Sequence, residues 1–382
     1  MKTLVLHIGM AKTGTSAIQN SLGLACAALR ERRIFCAPWK PFNHSFDFTV
    51  LFMGEPRKSF FYKQLSPIDE DSWQRQLERL RLQWQSLFES ADNGTWIVSA
   101  ENLTRLSPAE IRRLQEWVAP YFDEVRAIAY VRDPLKALKS QWEQNVKEIQ
   151  EPIDAQPLLA RTKERMGYRF LQCWSGTLGA DNLILRKFDP AAFHNESLLD
   201  DFFYALGLEL PPEAAITDVE SNQSLGPEGT AFLLELNNRY PQYLDGAYNP
   251  QRGLARRLHL FYRALRKAGS APLELDLHFS EEEAERYNRK IRSLNQFLPD
   301  GAGFPEVEPD SGVTRLPGVD DISIDYVVSM VNELALLADD FVDRKEHLEK
   351  DNRRLKAELE SLRAENRLLR EGGAGPDGEA SA

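Results

Sequence analysis

Cysteine is scarce in this chain: 382 residues carry three thiols, Cys26, Cys36 and Cys173. An odd number at wide spacing excludes a disulfide framework and a paired-cysteine zinc site, and it points to a reducing, cytoplasmic compartment. Positive charge is in deficit. Lys and Arg total 47 against 58 Asp and Glu, a net charge of −11, which excludes a general nucleic-acid binder. Any anion site must then be a local positive pocket in an acidic protein. No apolar run is long enough to span a bilayer, so no transmembrane segment is expected. His7 and Lys12 interrupt the N-terminus too early for a signal peptide. No tidy cluster of metal ligands is present either. Hydrophobic residues still make up 42% of the chain, enough to build one large domain or two ordinary ones.

What is present is concentrated in TLVLHIGMAKTGTSAIQ, Thr3 to Gln19. Thr3 to Ile8 is apolar and rich in β-branched residues, the pattern of a strand buried on both faces. Gly9 to Ser16 follows as a glycine loop. Ala17, Ile18, Leu22 and Ala25 then recur at helical spacing. Strand, loop and helix frame a phosphate-binding P-loop, in which backbone N–H groups and the positive end of a helix converge on an anion. The loop departs from G-x-x-x-x-G-K-[ST] in one respect. Gly9 and Gly14 keep the separation, but Thr15 stands where the lysine belongs, and Lys12 lies inside the loop. A nucleoside triphosphatase needs its lysine after the glycine to reach the β and γ phosphates. Lys12 suits a shorter anion, such as a 5′-phosphosulfate.

Downstream, strands alternate with helices. Further strands are expected at Ile34–Ala37, Thr95–Ala100, Val125–Val131 and Leu183–Lys187, and helices at Asp69–Ser90 and Ala191–Leu206. The first helix should end near Arg30 to Arg33. Ser107-Pro108-Ala109-Glu110 is a capping box, and Asp133 caps the helix that starts at Pro134. Such alternation implies a parallel sheet in a three-layer α/β domain. Pro38 to Pro67 is irregular and aromatic, from Trp39, Phe42, Phe46, Phe48 and Phe52 to Phe60, Phe61 and Tyr62. It is either an acceptor-binding wall or a cover for the sheet edge. Beyond Pro211 the pattern is helical, with candidates at Glu228–Arg239, Gly253–Ala268 and Ser280–Leu298, then a Gly/Pro-rich linker over Asp300–Pro317.

Asp321 to Glu371 reads as one long helix. Leu348, Leu355, Leu362 and Leu369 take heptad position d, with Asn352, Leu359 and Asn366 at a. Asp351, Glu358 and Glu365 at g oppose Lys356, Arg363 and Arg370 at e. Polar Asn at a and three attractive g-to-e pairs predict a parallel homodimeric coiled coil. The expected division is 1–240 for the α/β domain, 241–320 for a helical extension and linker, 321–371 for the long helix, and 372–382 for a disordered tail.

His7 to Gln19 resembles the HIGxxKTGTxxxQ start of bacterial carbohydrate-type sulfotransferases, which use 3′-phosphoadenosine 5′-phosphosulfate (PAPS). Tyr130-Val131-Arg132-Asp133-Pro134, with Ser140 eight residues after the arginine, resembles that family's 3′-phosphate site. The resemblance covers Thr3 to about Asn238. It implies a P-loop α/β/α fold with a central parallel sheet, here followed by a helical C-terminal region and a coiled coil. It implies PAPS as co-substrate, no metal, and a carbohydrate or glycolipid acceptor sulfated on a hydroxyl or amine. Gly9, Lys12, Thr13, Gly14, Thr15 and Ser16 would hold the 5′ end with backbone and hydroxyl donors, and Arg132 and Ser140 the 3′-phosphate. Lys12 would bind either the bridging oxygen or the 5′-phosphate. Two residues compete as the base: Glu101, at the end of the third strand, and His44, in the aromatic loop. Glu101 is preferred because its position relative to the sheet is better defined. His7 reads as structural. Arg186-Lys187 and the segment Ser221 to Leu225 are weaker candidates for ligand contact. Two alternatives stand beside this reading. One is a P-loop kinase of a small molecule or sugar; the other is an inactive coiled-coil scaffold that keeps the fold.

Overall fold

The apolar run at the N-terminus is the strand β1 (Lys2–Ile8), and all of its residues are buried. In a computed structural model describing residues 1–10, 12–56, 69–91, 93–147, 153–212, 224–241, 243–244, 247–249, 258–269, 271–299, 301–339, 345, 351 and 354, β1 is the centre of a five-stranded sheet. It pairs with β3 (Gly94–Ala100) on one side and β4 (Glu124–Val131) on the other. The edges are β2 (Ile34–Phe35) and β5 (Leu183–Lys187), giving the order β2-β3-β1-β4-β5 with every pair parallel. Parallel neighbours require crossovers, and helices covering both faces leave no room for a polar face on β1.

In chain order the helices of this part are α1 (Thr15–Leu24), α2 (Cys26–Glu31), α3 (Glu70–Glu89), α4 (Pro108–Val118), α5 (Pro134–Lys147), α6 (Ala155–Arg165), α7 (Arg169–Leu178) and α8 (Leu198–Ala205). Leu4, Leu6 and Ile8 join Trp96, Val98 and Ala129 under α3, α4 and α7, where Trp84, Phe88, Leu114 and Trp174 meet them. Val5, Ile97, Ile128 and Tyr130 face the other way, onto Ile18 and Leu22 of α1, Leu29 of α2 and Phe202 of α8. Each such Leu, Ile or Phe side chain contributes roughly 1.5–3 kcal/mol by leaving water. Local signals set the helix starts. Asp69 accepts the Ser72 N–H at 2.8 Å to open α3. Ser107 and Glu110 form the reciprocal capping box of α4. Asp133 accepts the Lys136 N–H at 2.9 Å to open α5.

Three elements differ from expectation. The first helix does not run through to Arg30; it breaks at Ala25, and α2 restarts at Cys26, whose thiol donates to the Cys36 carbonyl. The helix expected from Ala191 begins only at Leu198. Before it, two short turns pass through left-handed Asn195 and Glu196 (φ 51° and 55°), and the His194 N–H goes to Asp201 instead of a helix. The second strand stops at Phe35 rather than Ala37. Helices α6 and α7 occupy a stretch in which the sequence pattern places no element.

The chain divides into two compact units, 1–224 with 274–316 and 225–273 with 317–382. In the first, the Glu281–Asn295 helix opens on a Ser280/Glu283 capping box. The stretch expected as a linker is, over residues 301–316, chain without helix or strand that is fixed by side chains. Asn295 brackets Phe304 with bonds of 2.8 and 2.9 Å, and Asn288 does the same for Val307. In the second unit, the Pro227–Arg239 and Leu258–Ala268 helices pack with a helix over 324–339. The Tyr326 hydroxyl donates to the Leu265 carbonyl at 3.0 Å, and Ser323 to Glu228 at 2.7 Å. Phe60, Phe61 and Tyr62, Ser221 to Gln223, the heptad leucines from Leu348 onward and the tail lie outside the described residues.

Candidate active site

Gly9, Glu101 and Arg132 each follow directly on a strand, at the C-terminal ends of β1, β3 and β4. From β1 the chain travels toward β2 and β3, and from β4 toward β5. The crevice between β1 and β4 is therefore the switch point at which open parallel sheets bind ligands.

The loop after β1 is tightly built. A Cβ on Gly9 would stand 2.4 Å from Thr15 Cγ2 and 3.1 Å from Glu101 Cγ, so only glycine fits between them. Lys12 has φ 64°, left-handed for a residue with a side chain, a conformation that costs on the order of 1–3 kcal/mol and is kept where surroundings enforce it. Gly14, at φ 71°, ends the loop, and no side chain caps α1 after it. Helical bonding begins with the Ile18 N–H on the Gly14 carbonyl, 3.1 Å. The first-turn N–H groups of α1 are thus left over by helix geometry and carry its positive dipole end. The hydroxyls behave differently from expectation. Thr13 Oγ1 and Thr15 Oγ1 both donate to the Met10 carbonyl at 2.9 Å. They brace the loop. Ser16 is half-buried on the first turn.

Arg132 stands against this loop. Its Nη1 lies 3.5 Å from the Lys12 carbonyl oxygen, and its guanidinium sits 5.8 Å from the Phe188 ring centre. Phe188 also closes on Gly14, where a Cβ would come within 3.0 Å of its ring and 2.2 Å of Leu198. Phe188 carries no signal in the sequence beyond its place one residue after β5.

Of the two candidate bases, Glu101 is the one at the loop. It is half-buried beside Gly9, and its N–H donates to Asn43 Oδ1 at 3.4 Å. The same asparagine oxygen takes the Ser45 hydroxyl at 2.7 Å, while Ser45 Oγ takes the Asn102 N–H at 2.9 Å and the His44 N–H goes to the Ser99 carbonyl. Residues 43–45 are strapped across the end of β3. Phe42, next in the strap, lies on α1 at Gly23, where a Cβ would stand 2.2 Å from its ring. The His44 imidazole turns away into the aromatic layer. Its Nδ1 is 3.0 Å from Asp47, its ring packs edge-on to Trp84 at 5.1 Å and Trp39 at 6.1 Å, and it is 4% exposed. Asp47, three residues on, also accepts from the Trp39 indole at 2.7 Å. Over its described part, the aromatic loop is core: Phe48 and Phe52 are buried against Trp84 and Trp117.

Other candidates find partners elsewhere. Arg186, a possible phosphate contact from the sequence, forms a two-point ion pair with Asp201. The carboxylate also accepts the Tyr130 hydroxyl at 2.7 Å and the His194 N–H at 3.0 Å. Burial alone would raise the Asp201 carboxyl, but these bonds outweigh it and hold it below the usual range. Asp201 is a residue that sequence reasoning missed. Lys187 lies 4.5 Å over the Phe304 ring. Ser140 is half-exposed on α5, one turn before the buried Glu143, which takes the Ser224 hydroxyl as a donor. Ser224 therefore lies against the face of α5 that carries Ser140. His7 is fully buried, bonded through Nδ1 to Ser99 at 2.7 Å and edge-on to Phe202, and burial pulls its pKa down to about 3. It is a neutral structural residue. Among the described residues no group of three His, Cys, Asp or Glu is placed to hold a metal, and no helix is long and apolar enough to cross a membrane.

No family model and no curated protein matches the chain. Among the solved structures similar to it are sulfotransferases and a retinol dehydratase. One is a sulfotransferase from Alicyclobacillus acidocaldarius, similar over 63% of this chain and 96% of its own at 12% identity and a TM-score of 0.34. The sulfotransferase domain from the curacin biosynthetic pathway is similar over 57% and 78%, at 12% identity and a TM-score of 0.31. A retinol dehydratase, solved with androsterone and the inactive cofactor PAP, is similar over 79% and 81%, at 13% identity and a TM-score of 0.30.

Proposed function

We propose that this chain is a PAPS-dependent sulfotransferase whose acceptor is a hydroxyl or amine of a carbohydrate or glycolipid. One observation carries the reading: the loop of Lys12 and the guanidinium of Arg132 meet at the switch crevice, with Arg132 Nη1 3.5 Å from the Lys12 carbonyl oxygen. A ligand with two anionic ends on one ribose suits that pair. The preference for a carbohydrate acceptor rests on the resemblance of the loop motif alone.

The residues fit such a co-substrate. Gly9 leaves the crevice open where a Cβ would fill it. The first turn of α1 offers N–H donors to a 5′-phosphate, and Lys12 adds a cation that can neutralise charge on the leaving oxygen. Arg132 presents a planar fork suited to a phosphate dianion, with Ser140 as an added hydroxyl donor. PAPS supplies an already activated sulfuryl group, so the protein's share is positioning and charge stabilisation. Glu101 beside Gly9 is the base that takes the acceptor's proton; a carboxylate there needs no more than contact with the incoming hydroxyl. His44, bonded to Asp47 within the aromatic layer, holds the strap that positions Asn43 against Glu101. Cys26, Cys36 and Cys173 are all free thiols, which suits a cytoplasmic protein. The heptads after Leu348 pair two chains as a parallel coiled coil.

Thermal shifts with 3′-phosphoadenosine 5′-phosphate (PAP), AMP and ATP plus Mg²⁺ test the donor class. PAP should raise the melting temperature most. A larger shift with ATP and Mg²⁺ would refute the reading in favour of a kinase. Binding of PAP with no transfer to any hydroxyl acceptor would favour the scaffold.

A further inference from the structure

The helix over 324–339 is apolar on two faces, and only one of them is covered. Tyr326 and Met330 are buried against the Leu258–Ala268 helix and its neighbours, and Glu333 pairs with Lys267 at 3.5 Å. On another side, Ile324, Val328 and Val331 are 75%, 62% and 56% exposed. Isolated surface valines need no explanation, but a row at spacing four and three on one helix is a stripe.

The heptad register names what belongs on that stripe. Counting back from Asn352 in sevens, position a falls on Lys345, Ala338, Val331 and Ile324. Counting back from Leu348, position d falls on Phe341, Leu334 and Val327. Val328 is then e. The buried Tyr326 and Met330 are c and g, outside the a–d seam. Residues 345, 351 and 354 are helical as well. Val327 and Leu334 at d are half-buried beside it, so the exposed stripe is the a and e side of the same register, with β-branched Ile324 and Val331 at a, which favour two strands.

We infer that a second copy of this chain covers the Ile324–Val328–Val331 face, so that the parallel pairing starts at Ile324 and not near Leu348. This rests on the coiled-coil reading above and extends it into the body of the second unit. Two partners with unlike sequences would have no reason to share this register, whereas a copy matches it at every a position. Lys345 and Asn352 at a then fix the alignment, since any slip would set them against apolar partners.

Cysteine crosslinking of the full chain tests this. At position a of a parallel dimer, the two copies of a residue approach within roughly 7 Å, close enough for a disulfide. Val331→Cys, Asn332→Cys (position b) and Asn352→Cys are oxidised with glutathione disulfide and run on a non-reducing gel beside the unsubstituted chain. Dimer bands are expected for Val331→Cys and Asn352→Cys, about tenfold stronger than for Asn332→Cys. If Asn352→Cys crosslinks and Val331→Cys does not, the seam starts later; the inference fails and the coiled coil stands. If neither crosslinks, both fail. Equal bands at 331 and 332 mean unspecific collision and overturn the inference as well. The PAP thermal shift is independent of all three outcomes.

Discussion

Arg132 Nη1 lies 3.5 Å from the carbonyl oxygen of Lys12, although 120 residues separate them in the chain. The contact joins the end of β4 to the loop after β1 across the point where the sheet changes direction. It also leaves most of the guanidinium's donors to face elsewhere, since one carbonyl engages one edge of a five-donor fork.

Removing either cation should have a different signature. Lys12→Ala should lower kcat by about a hundredfold or more while PAP affinity falls less, because the lysine is proposed to act on charge that develops at the leaving oxygen. Arg132→Ala should weaken PAP by about tenfold or more, in keeping with a charged hydrogen-bond pair of roughly 1.5–3 kcal/mol. Calorimetric titration of PAP and initial rates measure the two. An Arg132 variant with unchanged PAP affinity removes the arginine from the site.

Glu101 and His44 separate by the same logic. Glu101→Gln keeps the shape beside Gly9 and should lose about 10²–10⁴ in kcat with PAP binding intact. His44→Asn keeps a donor toward Asp47, and should leave turnover within about tenfold while costing about 1 kcal/mol of stability. The reverse pattern in the two rate measurements would make the histidine the base.

Arg186 is expected to matter for folding and not for ligand. Arg186→Met leaves the buried Asp201 with only the Tyr130 hydroxyl and the His194 N–H, a loss of about 2 kcal/mol once the partial exposure of the arginine is allowed for. Urea unfolding should record that loss while the PAP dissociation constant moves less than about threefold. A preserved urea midpoint with lost affinity would return Arg186 to the binding site.

His7 sets a pH dependence. Its pKa is near 6.5 in the unfolded chain and about 3 when buried, so the unfolded state takes up a proton in acid that the folded state refuses. Its contribution is complete above pH 6.5, erodes as the pH falls below that, and is fully lost near pH 3. Between pH 6 and pH 4 the fall is about 2–3 kcal/mol. His7→Gln should flatten the urea-midpoint profile by that amount over the same interval, and parallel profiles would show that the imidazole does not titrate as described.

Much of the sheet was legible because its signals are local. A strand buried on both faces shows an unbroken apolar run, so β1, β3 and β4 stand out, and caps such as Ser107/Glu110 mark helix starts by themselves. The late start of α8 was not legible: it depends on the His194 N–H bonding to Asp201, a tertiary contact with no periodicity. The site divides in the same way. Gly9, Lys12, Gly14 and Arg132 belong to contiguous motifs. Asp47, Phe188 and Asp201 matter through what folds against them, as does the turning of the Thr13 and Thr15 hydroxyls onto Met10.

The ring of Phe42 rests where Gly23 has no side chain. That arrangement ties the rear of α1 to the segment whose next residue, Asn43, grips the main chain at Glu101. An alanine at position 23, remote from any phosphate, would wedge the ring outward and tilt the carboxylate with it. Residues governing the aim of the Glu101 carboxylate thus extend to the far side of a helix, and a search confined to the crevice would overlook the lever.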